Sequence, residues 1–233
     1  MSLSSVAFER IHHAILSGAL DLGERLSEVP IADALGMSKA PVRMAFAELR
    51  DMGLVTIVPQ AGTYVFAPST ADVFEMSSFR AVLETSAVDL AMARDPHEVV
   101  TGLDSALFQM RAALHAGHYE KYGQADREFH QTFLKSSGNS YLIRANMLTS
   151  SAIEALRVRL QSGEGNFREQ SFDEHNQIRD LLASGDIAAA KEALTNHIMV
   201  INSYMKELPA PATVRSRSNT RSPSEYRDIF SRN

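Results

Sequence analysis

The sequence predicts a mainly α-helical protein: an N-terminal winged helix-turn-helix with a small β-hairpin wing, then a C-terminal all-α antiparallel helical bundle. Three observations carry this. Apolar residues recur at helical spacing in three short runs between residues 4 and 52, and two β-branched or aromatic runs follow at once. From about residue 71 to Leu208 the helical period continues with no strand-like alternation.

Val6, Phe8, Ile11, Ala14 and Ile15 mark the first helix, Val29, Ile31, Ala32 and Leu35 the second, and Val42, Ala45, Phe46 and Leu49 the third. Gly18 and Gly23 bracket the first connection. Ser27 caps the second helix, Gly36 ends it, and Ser38 caps the third. Pro41 falls in the first turn of that helix, where a missing N–H is tolerated, and Gly53 stops it. Leu54–Val58 and Thr63–Phe66 read as a hairpin around a four-residue tip, Pro59-Gln60-Ala61-Gly62. Ser69 or Thr70 opens a second domain of six helices, about 71–93, 96–116, 118–136, 140–161, 168–184 and 186–206, punctuated by Pro96, Gly117, Gly138, Gly163 and Gly185. The expected domains are 1–67 for DNA binding, 70–207 for effector binding and dimerisation, and 208–233, rich in Pro, Ser, Thr and Arg, as a disordered or loosely docked tail.

Composition narrows the chemistry. The 233 residues include no Cys, which removes disulfides, thiolate metal sites and Cys nucleophiles, so any metal must use His, Asp or Glu. No stretch approaches the roughly 18 apolar residues of a membrane span, and the N-terminus lacks a basic signal-peptide region. The reading is a cytoplasmic protein with no membrane partner. The net charge of −5 gives no overall attraction for nucleic acid, so DNA binding requires a local cluster. By segment, residues 1–66 carry 5 Lys/Arg and 7 Asp/Glu, 67–207 carry 13 and 19, and 208–233 carry 5 and 2.

The N-terminal segment supplies such a cluster. In a helix-turn-helix the second helix enters the major groove, and here Ser38, Lys39 and Arg43 occupy its first turn and a half. The free N–H groups at that helix start favour a phosphate, and the Arg43 fork suits guanine or a close phosphate. Gly62 at the wing tip allows backbone to approach DNA. Spacing alone leaves open a three-helix interaction module with Lys39 and Arg43 merely solvated. The run IHHAILSGALDLGERLSEVPIADALGMSKAPVRMAFAELRDMGLVTIVPQAGTYV is, in addition, similar to the winged-helix domain of the GntR superfamily over residues 6–66. Lys39, Ala40 and Met44 stand where that family usually has Arg, Thr and Glu. The resemblance implies double-stranded operator DNA as partner.

In the second domain Asp126 and His130 lie four apart in QADREFHQTF and share a helix face, which suits two ligands of one metal, while Phe129 and Phe133 turn towards the core. His175 and His197 sit on later helices; alone, each is more often a hydrogen-bonded core histidine than a ligand. DREFHQTFLKSSGNSYL and EHNQIRDLLASGDIAAAKEALTNHI resemble the FadR/FCD branch of GntR regulators, and six helices resemble its VanR-like version. That resemblance implies a divalent metal at Asp126, His130, His175 and His197. Such a donor set suits Zn²⁺ or Ni²⁺. It also implies Arg80 as the partner of an anionic effector, the alternative being an i,i+4 ion pair with Glu84. The remaining histidines, His12, His13, His97, His115 and His118, read as solvated. The tail arginines either touch DNA or only solubilise.

Together these imply a ligand-responsive repressor, homodimeric because a pseudopalindromic operator mirrors protein symmetry, which senses a small organic acid at a metal-containing site. Two alternatives stay open. A metal-dependent hydrolase has only Glu128 as a nearby base, on the far side of its helix from Asp126 and His130, and no nucleophile or other catalytic residue. The metal is otherwise purely structural.

Overall fold

A computed structural model describes residues 2–161, 167–206 and 221–231. The chain forms two compact units, one of Met1–Pro68 with Pro209–Asn233 and one of Ser69–Leu208.

In the first unit α1 (Leu3–Leu16) starts where the Ser2 hydroxyl accepts the Ser5 N–H at 3.1 Å, and it buries Ala7, Ile11, Ala14 and Ile15. Helices α2 (Glu28–Leu35) and α3 (Lys39–Asp51) are joined by a tight turn. Gly36 there takes φ 65°, and the Met37 N–H returns to the Ala32 carbonyl at 3.0 Å, closing the exposed end of α2. Ser27 and Ser38 occupy the N-cap positions, yet neither side chain makes a capping hydrogen bond. Val42, Ala45, Phe46 and Leu49 of α3 face inwards, leaving Ser38, Lys39 and Arg43 exposed.

The wing is larger than the sequence suggests. Strands β2 (Val55–Val58) and β3 (Gly62–Val65) form the hairpin, and β1 (Arg25–Leu26) adds a third antiparallel strand on the far side of β3, with Arg25 opposite Tyr64. Two residues are too short to show alternation, so β1 was not legible. The tip holds three residues rather than four, because Val58 pairs with Gly62. The Ala61 N–H closes the turn onto the Val58 carbonyl at 3.1 Å, and Gln60 takes φ 62° at the position that Gly usually fills.

The tail expectation is corrected at its far end; residues 208–220 lie outside the described residues. Pro223–Ser231 forms α10, packed on α1 and α2. Tyr226 and Phe230, one helical turn apart, are 0% and 4% exposed. Arg221 clasps Glu24 through two hydrogen bonds of 2.6 and 2.8 Å, and Arg10 Nη1 donates to the Phe230 carbonyl at 2.7 Å. The Pro/Ser/Arg bias masked a short amphipathic stripe. Burying a ring such as Phe230 contributes about 1.5–3 kcal/mol towards the cost of ordering the helix.

The second unit is all helical: α4 (Thr70–Arg94), α5 (Pro96–Ala116), α6 (Tyr119–Ser136), α7 (Ser140–Gln161), α8 (Phe167–Ala183) and α9 (Ile187–Met199). Its last expected helix tightens into a 3₁₀ segment over Val200–Lys206, a common way for a helix to end. Local chemistry sets several starts: Ser69 and Asp72 form a reciprocal capping box for α4, Asp95 caps α5 ahead of Pro96, and Asp186 accepts the Ala189 N–H for α9. Val88, Leu103, Met110, Phe129, Phe133 and Leu194 lie in one core. Phe129 and Phe133 therefore point inwards, and Asp126 and His130, on an adjacent face of α6, are buried with them. No helix of the described residues is long and apolar enough to cross a membrane.

Candidate metal centre and nucleic-acid interface

Three helices bring His130 (α6), His175 (α8) and His197 (α9) together at 4%, 0% and 5% exposure. The Nε2 atoms of His175 and His197 each lie 3.3 Å from His130 Nε2. Their orientations are fixed from behind: His130 Nδ1 is 2.7 Å from Glu84 Oε2, and His197 Nδ1 is 2.7 Å from Glu174 Oε2. Each carboxylate accepts the Nδ1–H, which leaves the Nε2 lone pair facing the cluster. Phe129 packs its ring against His175, centroids 4.4 Å apart. Carboxylate-backed imidazoles of this kind are how metal-ligating histidines are held.

The electrostatics agree with the geometry. Burial drives His130 and His175 well below the ordinary imidazole value, helped by Arg80 and Arg157 nearby and by the other histidines. Burial also lowers His197, although the hydrogen bond to Glu174 pulls the other way. All three rings are thus neutral near pH 7 and present acceptor lone pairs to one another. Facing acceptors repel unless a cation lies between them. At a metal–nitrogen distance of about 2.0–2.1 Å the edges of a tetrahedral site are roughly 3.3–3.4 Å, the separation seen here. His175 Nδ1 is buried without a hydrogen-bond partner. Among the described residues these three histidines are the group able to hold a metal ion, so the donor set fits one.

Asp126 stands beside the cluster rather than in it. Its Oδ1 accepts from Arg157 Nη2 at 2.5 Å and is 3.6 Å from His175 Nε2, while Arg157 Nη1 reaches to 3.4 Å from His130 Nε2. Arg157, on α7 and 8% exposed, is the residue the sequence did not disclose: nothing local in IEALRVRL marks it, because its partners come from α6 and α8. Arg80 does pair with Glu84, at 2.6 Å, so the ion-pair alternative holds in this structure. Yet Glu84 also backs His130, so Arg80 belongs to the same network. Burial raises the Glu84 carboxyl against the pull of Arg80.

A cavity of about 50 Å³ opens next to His130, lined by Arg80, Asp126, Asn146, Glu154 and Arg157. Arg80 and Arg157 also wall a smaller one of about 10 Å³ on the His197 side. In the lining of the larger cavity Arg127 pairs with Glu154 at 2.7 Å, and Asn146 Oδ1 has no hydrogen-bond partner. Two buried guanidiniums thus stand beside the histidine cluster, each paired with a carboxylate, Arg80 with Glu84 and Arg157 with Asp126.

In the first unit Ser38 and Lys39 are exposed at the start of α3. Arg43 is exposed too, but its fork is engaged: Nε and Nη2 donate to Glu28 at 3.0 and 2.7 Å. Gly62 takes φ 132°, and a Cβ there would lie 3.0 Å from Arg25 Nε. Its lack of a side chain thus makes room for Arg25, a wing cation not singled out in the sequence.

A three-helix head with a wing, joined in one chain to an all-helical unit, is the layout of a DNA-binding regulator. Residues 3–65 match the gntR family of bacterial regulatory proteins and 75–199 match the FCD domain, and the chain belongs to this family of transcriptional regulators. That membership makes it a regulator and not an enzyme, and sets the hydrolase alternative aside. It is 31% identical to a "Probable D-xylose utilization operon transcriptional repressor" of Paenarthrobacter nicotinovorans, over 79% of this chain and 80% of that one. It is 38% identical to an HTH-type regulator in the TAR-I ttuE-ttuC' intergenic region of Agrobacterium vitis, over 56% of this chain and 78% of that one. A solved GntR regulator from Rhodococcus sp. RHA1 shares the fold with TM-score 0.76 at 22% identity, covering 89% of this chain and 99% of that one.

Proposed function

We propose that this regulator is a homodimeric repressor that reads a pseudopalindromic operator through Ser38, Lys39, Arg43 and the Gly62 wing tip, and that it senses a small organic carboxylate beside a divalent metal. Zn²⁺ or Ni²⁺ suits the donors His130, His175 and His197, and Asp126, 3.6 Å from His175 Nε2, becomes the fourth ligand by turning from Arg157 to the ion. The ion would supply a fixed positive charge towards which a carboxylate is drawn. Arg157 and Arg80 orient that carboxylate in the adjoining cavity. One observation carries the reading: three neutral imidazoles turn their lone pairs on one point, next to two buried guanidiniums. The dimer draws support from α4 and α7, which pack together yet leave Phe74, Val82, Tyr141, Met147 and Leu148 exposed. Likeness to a xylose-operon repressor is the reason to include sugar-derived acids among the candidates.

The test is a thermal-shift screen of Zn²⁺- or Ni²⁺-loaded protein against sugar acids, hydroxy acids, dicarboxylates, aromatic acids and fatty acids, with His175→Ala alongside. A ligand at 100 times its dissociation constant adds about 2.7 kcal/mol to folding, which such a screen resolves. A shift confined to one acid class and lost with His175→Ala is the expected result. Stabilisation by metal with no response to any acid supports the structural-metal alternative instead.

A further inference from the structure

The C-terminal helix α10 lies outside both family matches, which end at residues 65 and 199. It is nevertheless part of the reading unit. Tyr226 and Phe230 are buried against α1 and α2, Arg221 clasps Glu24 in the turn before β1, and Arg10 holds the Phe230 carbonyl. Helix α2 carries Glu28, the partner of Arg43, and its Ser27 start lies one residue after β1 of the wing.

Charge gives a second, independent reason. Residues 1–66 carry 5 Lys/Arg and 7 Asp/Glu, a net −2 that repels phosphate. The described tail, residues 221–231, carries Arg221 and Arg227 against Glu225 and Asp228 and is itself neutral, so its effect on the head is local. Arg221 spends its charge on an acid of the head, Glu24, while Arg227 stays exposed. An acidic DNA-reading head gains from such a partner, because cationic groups near phosphate release counterions on binding.

We propose that the docked C-terminal helix is a DNA-affinity element of the reading head: it braces α1 and α2, neutralises the head's Glu24 through Arg221 and adds the exposed Arg227. The experiment uses the full chain and a mixed-sequence DNA duplex, with binding followed against salt and amide exchange followed along the chain. Tyr226→Ala with Phe230→Ala removes the docking but keeps every charge. The expected result is faster exchange in α1 and α2, unchanged exchange in α4–α9, and duplex binding weakened about tenfold. Arg221→Gln with Arg227→Gln keeps the aromatic pair and removes charge. Here protection of α1 persists and the slope of log affinity against log salt falls by about one or more. If either variant binds the duplex with unchanged affinity and salt slope, the proposal is overturned. If the aromatic variant loses protection throughout both units, it has merely failed to fold, and the charge variant then decides.

Discussion

At the scale of single residues, Arg80 and Arg157 look interchangeable as anion partners but differ in what stands behind them. Arg80 balances Glu84, which is 1% exposed and orients His130. Removing one member of a buried pair strands the other, at a cost of about 3–5 kcal/mol. Arg80→Ala should therefore lower metal content together with any acid response, as elemental analysis beside the thermal-shift screen would reveal. Arg157→Gln keeps an amide N–H donor for buried Asp126 and leaves the Glu84–His130 link intact, so metal content should survive while the acid response is lost. On the DNA side, Glu28 occupies the fork of Arg43. An exposed pair of this kind is worth little to folding, but it must open or reorganise before Arg43 can bond a base. Glu28→Gln should strengthen binding to mixed-sequence duplex several-fold at low salt; a gel-shift titration giving weaker binding would instead make Glu28 the residue that aims Arg43.

At the scale of elements, the metal-type centre is an agreement among α6, α8 and α9, and its titration follows from that. Imidazoles ordinarily protonate near 6.5, and burial holds His130 and His175 well below this in the folded protein. Below about pH 6.5 the unfolded chain therefore binds more protons than the folded one, and stability falls as pH falls. Glu84 and Glu154, raised by burial, act in the opposite sense above their ordinary 4.5, two groups against three. Metal-free protein should thus lose amide protection in α6, α8 and α9 between about pH 7 and about pH 5, and bound metal should remove most of the effect. Protection that is flat or rising over this range would exclude neutral histidines at the centre.

Elements also show why some parts were legible. Helix boundaries in the second unit follow caps written into the chain, such as Ser69 with Asp72 and Asp95 with Pro96. Asp126 and His130 sit on one helix, so their spacing carries information. Arg157 meets them only across α6 and α7, and Glu174 meets His197 only across α8 and α9; no local pattern encodes either meeting. Strand β1 was missed because two residues have no period, and α10 because composition outweighed a single i,i+4 aromatic pair.

At the scale of the whole molecule, the chain order has a consequence for biogenesis. The first 68 residues are synthesised early, but two rings buried in the same unit, Tyr226 and Phe230, come after the entire second unit. Domains ordinarily fold as they emerge from the ribosome, N-terminal first. Here the N-terminal unit meets two of its buried rings only after the second unit has been made. A chain that stops short of residue 221 lacks both rings, so its N-terminal unit forgoes the burial of two aromatic side chains, at about 1.5–3 kcal/mol each.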